Sequence, residues 1–176
     1  MEGTSVPALR RLLVAALCAV GTAASPANAK ARAPASPEEI VAGVRSCVVS
    51  VGPAGLDQAR LAADGWSKAS ISSKDGKPVE SPLIVYGKGR LMMVSTTPAR
   101  GTSQLCTVMA DIGSVSAFPG IQAAMANAYG APFKDDGKGE QFFAAPDHRY
   151  IDLASTGNND RPSIRAAVVY VSRESK

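Results

Sequence analysis

Apolar positions recur at helical spacing early in the chain. Ile40, Val44, Cys47, Val48 and Val51 fall on one stripe, as an amphipathic helix requires. Ser36 with Glu39 three residues later forms a capping box, and Pro37 suits the first helical position. Gly52-Pro53 stops the run. A second short helix is expected over Leu56 to Asp64, with Gly65 just past its end and Trp66 packing back on Leu61. That contact makes the single tryptophan a core residue rather than a ligand platform.

The period then changes from helix to strand. Ser67 to Ser81 is polar, with Asp75-Gly76 as a turn signal and room for a short edge strand near Ala69 to Ser73. Leu83 to Tyr86 and Leu91 to Thr96 read as a hairpin around Gly87-Lys88-Gly89, and Gln104 to Ile112 as the next strand. Cys106, Val108, Ala110 and Ile112 share one face of it. A helix follows from Ser116 to Tyr129, with Phe118, Ile121, Met125 and Ala128 as its apolar stripe and Gly130 at its end. Lys134 to Lys138 is a charged loop. Glu140 to Ala144, Arg149 to Ser155 and Ser163 to Ser172 are three further strands, separated by turns at Pro146-Asp147 and Gly157 to Asp160.

The order is ααβββαβββ. Short turns between successive strands predict an α+β fold with an antiparallel sheet of five to six strands and two or three helices. Several strands, among them Leu83 to Tyr86, Leu91 to Val94 and Ala166 to Val171, are apolar on both alternating faces. A sheet with one wet face alternates more cleanly. Part of the second face is therefore expected to be covered, by a helix, by the long loop or by a partner; if the helices all lie on one side, the other side is an association or ligand surface.

The beginning of the chain sets the expected compartment. Arg10 and Arg11 precede a nine-residue apolar run, Leu12 to Val20, and Ala27-Asn28-Ala29 is an A-x-A cleavage pattern. Residues 1–29 read as a cleaved secretory signal with its cut after Ala29. Residues 30–35 read as a flexible lead-in, and 36–174 as a single domain. The apolar run is too short for an anchor, and Leu17 before Cys18 does not suit a lipoprotein signal. Arg10-Arg11 also allows the twin-arginine route, although Leu-Leu-Val after it matches that route poorly. The expected location is periplasmic or secreted, in a bacterial envelope. No transmembrane segment is expected after the signal is removed.

Composition narrows the function more by exclusion. Without Arg10, Arg11 and Glu2, the 147 residues from Lys30 carry 17 basic and 14 acidic groups, a net charge of +3. These charges are dispersed, so no nucleic-acid partner is expected. Two cysteines remain after the leader, Cys47 and Cys106, and in an exported chain they are expected to form a structural disulfide. A redox pair favours C-x-x-C, which is absent. A zinc site needs about four ligands. No metal and no cofactor are expected.

No G-x-S-x-G, H-E-x-x-H, S-x-x-K or G-x-x-x-x-G-K-[ST] motif is present. His148, the one histidine, sits in an expected turn. Asp135, Asp136 and Glu140 do not match a calcium loop and are flanked by Lys134 and Lys138. Tyr86, Lys88 and Arg90 at a hairpin tip, with Arg100 at the next connection, form a candidate binding cluster for an anionic group. Charged turn residues that keep sheet edges from pairing are the competing explanation. The expectation is therefore a small exported binding or accessory module of the envelope. Its partner would be another envelope protein or a second copy meeting the apolar sheet face. The rival is a secreted hydrolase that uses dispersed carboxylates or His148.

Overall fold

A computed structural model describes residues 33–79, 81–96 and 104–171. The expected leader with its Ala29 cleavage site, residues 30–32 of the lead-in, and Arg100 lie outside the described residues. Helix α1 spans Pro37–Ser50 and α2 Gln58–Ala63, with a two-stranded ribbon, β1 (Val51–Gly52) and β2 (Gly55–Leu56), between them. Strands β3 (Ser67–Ala69), β4 (Leu83–Lys88), β5 (Leu91–Thr96) and β6 (Gln104–Asp111) follow. A 3-10 turn at Val115–Ala117 leads into α3 (Phe118–Tyr129). Strands β7 (Lys134–Asp135), β8 (Glu140–Ala145), β9 (Arg149–Gly157) and β10 (Pro162–Tyr170) complete the described fold. All of it belongs to one compact unit, Arg32–Lys176.

The fold is α+β with one large antiparallel sheet. It has eight strands in the order β3-β4-β5-β6-β10-β9-β8-β7, rather than the five to six expected. The six long strands are those the sequence pattern shows. The other two are edge strands of three and two residues, too short to display a period of two; β3 ends at Ala69, where the edge strand expected near Ala69 to Ser73 begins. Two three-strand meanders, β4-β5-β6 and β8-β9-β10, meet on their last strands. The sheet therefore has a midline between β6 and β10, where Thr107 pairs with Ala167.

Local chemistry explains the helix ends. The Ser36 hydroxyl accepts from the Glu39 N–H at 3.2 Å, and the Glu39 carboxylate accepts from the Ser36 N–H at 2.8 Å. This is a complete capping box. At the end of α2, Gly65 has φ +82. Its N–H donates to the Ala62 carbonyl at 3.0 Å, and the Trp66 N–H donates to Leu61 at 2.9 Å, a Schellman closure.

One sheet face carries the core. Met93, Cys106, Val108, Phe143, Ile151, Leu153, Ile164, Ala166 and Val168 are fully buried there, together with Ile40, Val44 and Cys47 of α1 and Ile121 and Met125 of α3. Gly43 lets α1 approach the sheet closely. A Cβ at that position would lie 2.7 Å from Leu91 Cδ1 and 3.3 Å from Val108 Cγ1. Cys47 and Cys106 form a disulfide between α1 and β6, with Cα atoms 5.7 Å apart and 59 residues between them in sequence.

Several boundaries differ from expectation: α2 begins at Gln58 rather than Leu56, which lies in β2. Gly87 and Lys88 continue β4, and the turn is Gly89-Arg90, with Lys88 paired to Leu91. Gly89 alone of the two has positive φ, +56, as a type II′ hairpin turn demands. Val51 leaves the helix stripe and starts β1, because Gly52-Pro53 ends α1 by folding back into a ribbon. Ala35 is buried, and its N–H donates to the Asp111 carbonyl at 2.9 Å. The described end of the lead-in is thus tied to the sheet.

Candidate functional site

The sheet face opposite the helices is the candidate site. Register places its residues without ambiguity, because paired residues in an antiparallel sheet point to the same side. One row crosses all eight strands: Ala69, Val85, Val94, Thr107, Ala167, Asp152, Phe142 and Lys134. A second row runs through Met92, Met109, Arg165, Ala154 and Glu140. Leu105, Val169 and Tyr150 form part of a third.

Much of this face is apolar and open. Leu83 is 44% exposed, Met92 39%, Tyr150 44% and Phe133, beside β7, 58%. Phe133 meets the Tyr150 ring edge-on at 5.9 Å and the Phe142 ring at 6.3 Å, separations typical of favourable aromatic pairs. The side thus has an aromatic half at β8–β9 and an aliphatic and thioether half at β4–β5. The strands that read as apolar on both faces set their second apolar row on this side, while α1 and α3 pack on the other. The sequence pattern does not signal the aromatic group, because Phe133 precedes a stretch, Lys134 to Lys138, that reads as a charged loop.

A polar spot interrupts the apolar surface. Arg165 donates to Asp152 at 2.7 Å and lies 3.4 Å from Glu140. Burial pushes the Asp152 carboxyl above the ordinary carboxylate range, while Arg165 opposes that shift. One Asp152 oxygen, Oδ1, is buried without a hydrogen-bond partner.

The hairpin cluster of Tyr86, Lys88 and Arg90 faces the other way, onto the helices. Tyr86 is 3% exposed, and burial pushes its phenol pKa up. Lys88 Nζ is 3.3 Å from Asp64 and 5.9 Å from the centre of the Trp66 ring. Arg90 donates to the Pro34 carbonyl at 2.9 Å and lies 3.5 Å from Glu39. These side chains tie the β4–β5 hairpin to α1 and α2.

The other candidates remain separate. His148 is exposed in the β8–β9 turn, where both it and Asp147 have positive φ, +60 and +57. Its carbonyl accepts from the Val171 N–H at 3.1 Å. Asp135 accepts from the Gln141 amide and the Gly137 N–H, and Asp136 from the N–H groups of Glu140 and Lys138; both carboxyls are held below their usual range. They shape their own turn. Asn158 likewise accepts from the N–H groups of Asp160 and Arg161. Among the described residues, no group of three or more His, Cys, Asp or Glu side chains could hold a metal ion. Nor is any described helix long and apolar enough to cross a membrane.

One cleft collects charge. It lies between α1 and α2, about 480 Å³ in volume, with Arg45, Ser46, Arg60, Asp64 and Lys88 in its walls. The Ser46 hydroxyl donates to the Asp64 carboxylate through a short hydrogen bond. That bond and the neighbouring Lys88 hold Asp64 below its ordinary pKa, so it is a poor base at neutral pH. Sequence reasoning also missed Arg149. Its Nε donates to the Val51 carbonyl at 2.8 Å and its guanidinium covers Tyr170 at 5.6 Å, fastening β9 to the ribbon after α1. Searches against protein-family models, curated proteins and solved structures found no match to this chain.

Proposed function

We propose that this protein is an exported binding module that works through the open sheet face in an oxidising compartment of the cell envelope. One observation carries the reading: Leu83, Met92, Phe133 and Tyr150 are exposed on a single, continuous sheet face. An apolar area of this kind on a water-soluble domain marks a contact surface. The basic and apolar pattern of residues 1–29 and the Cys47–Cys106 bridge support the compartment. The hydrolase alternative draws less support. Asp152 and Glu140 are engaged by the same arginine, and His148 lies on an exposed turn away from them.

The test is photo-crosslinking in the cells that make the protein. A benzophenone amino acid replaces Tyr150 on the open face or, as a control, Val49 on the outer surface of α1. Adducts at Tyr150 and not at Val49 are expected. Equal labelling, or none at Tyr150, overturns the proposal.

A further inference from the structure

We infer that the occupant of the open face is a second copy of this chain, docked sheet to sheet about a two-fold axis parallel to the strands. The inference rests on the reading of that face as a binding surface and adds the identity of the partner.

The size of the face fits. Six long strands about 4.8 Å apart, each some six residues long at about 3.3 Å per residue, give a projected area of roughly 600 Å². Side-chain relief raises the accessible area toward the about 800 Å² per partner of a stable interface. Charge permits self-association, because Arg165 is already matched on its own sheet by Asp152 and Glu140. Two identical sheets also share one twist, which lets them stack in alignment.

The distribution of side chains selects the axis. Left and right of the β6–β10 midline the face differs: Leu83, Val85, Met92 and Val94 on one side, and Phe133, Phe142 and Tyr150 on the other. A two-fold axis along the strands sets the aliphatic half of each copy against the aromatic half of the other. Val85 then faces Phe142 and Thr96 faces Tyr150, low side chains on tall ones, and the layers stay parallel. An axis across the strands would put aromatic on aromatic and hold the layers apart on that side. Thr107 and Ala167, paired at the midline, are small enough to let the two sheets close.

An isologous interface of this kind repeats every contact twice, and that supplies the test. Sedimentation equilibrium of the purified protein should give twice the mass of one chain. Thr96→Lys and Tyr150→Glu, at positions of one row that face each other across this axis, each place two unmatched charges in the interface and should weaken the dimer at least ~10-fold. Both side chains are exposed in the single chain, so circular dichroism should hold, and the melting temperature should fall only by the concentration-dependent share that dimerisation adds. Mixing the two variants one to one should restore the dimer. In the mixed pair one half-interface is native, and the other joins the new ammonium to the new carboxylate.

A monomeric wild type at about 100 µM overturns the inference. So does a dimer that both variants leave intact, and so does a mixture that fails to reassociate. The photo-adduct formed at Tyr150 separates this failure from the broader one. An adduct of two copies supports the second-copy assignment. An adduct with a different polypeptide overturns it and leaves the binding reading standing. The absence of any adduct removes both.

Discussion

Lys88 spans two partners from different elements: its ammonium lies 5.9 Å from the centre of the Trp66 ring and 3.3 Å from the Asp64 carboxylate. The stem runs from β4 to the end of α2, so one side chain fixes how the hairpin meets the helices. Both partners are reached at a half-exposed position, where a cation–π contact and an ion pair together contribute roughly 1 kcal/mol. Lys88→Met keeps most of the stem and should cost about that much in urea unfolding. An unchanged midpoint would show that the contact is incidental.

The same cluster predicts the acid limb of stability. Asp64 is held below its ordinary value first by the Ser46 hydroxyl and then by Lys88, against an opposing desolvation. A carboxyl depressed in the folded state contributes stability above its unfolded value, about pH 4, and that share is lost as pH falls through the folded pKa. Asp64→Asn should flatten the loss below about pH 4. Ser46→Ala should flatten it more than Lys88→Met, because the hydroxyl is the larger cause. The reverse order would mean that charge rather than hydrogen bonding sets this carboxylate. Asp152 acts oppositely: its pKa is raised by burial, so the stability it withholds when ionised returns as pH falls.

The disulfide gives a larger effect. Cys47 and Cys106 are both fully buried, so reductant reaches the bond mainly through unfolding. Closing a loop of 59 residues should stabilise by roughly 4 kcal/mol on the chain-entropy model. Denaturant midpoints with and without reductant check this. A loss under about 1 kcal/mol would rule out the loop-closure account.

How much of this was legible in the sequence depended on the range of each signal. The capping box at Ser36 and Glu39 and the Gly65-Trp66 helix end are short-range chemistry, and both form as the sequence predicts. The bridge was legible because Cys47 and Cys106 each sit on an apolar stripe and each has one available partner. Tyr86 was misplaced by a turn. Setting the hairpin at Gly87-Lys88-Gly89 puts Tyr86 next to the tip, whereas the turn at Gly89-Arg90 leaves it two pairs inside β4, facing the helices. A short shift of this kind changes a candidate binding residue into a core residue. The open face was half legible. Runs apolar on both sides signalled a second contact surface, but Phe133, Phe142 and Tyr150 converge only through strand pairing that no local pattern encodes.

Gly157 closes β9 where the chain turns toward β10. Its φ is +82, and a Cβ there would run into the Arg161 carbonyl oxygen and lie 2.9 Å from the Ser163 hydroxyl. Backbone cannot yield as a flexible side chain can, so Gly157→Ala should destabilise by about 1–3 kcal/mol. Gly76 serves as the control: its φ is +74, but its added Cβ meets nothing. Gly76→Ala should cost only its conformational strain. Equal thermal shifts for the two would mean that the turn after β9 can open without loss.

Tyr129, at the end of α3, buries a hydroxyl that has no hydrogen-bond partner. Burial pushes its phenol up to about 12, with Arg45 opposing. An unsatisfied buried hydroxyl is a cost the fold carries, so Tyr129→Phe should be neutral or stabilising by up to about 1 kcal/mol. The alkaline limb follows from the sign of the shift. A phenol raised in the folded state leaves stability intact below its unfolded value near pH 10 and removes it as pH climbs toward about 12. Ultraviolet titration should therefore show Tyr129 ionising later than an exposed tyrosine, and Tyr129→Phe should flatten the alkaline decline. Tyr86, also raised by burial, accounts for a share that remains in that variant. If Tyr129→Phe instead lowers the melting temperature, the hydroxyl has a partner in solution, and the packing of α3 against α1 is wetter than the buried core suggests.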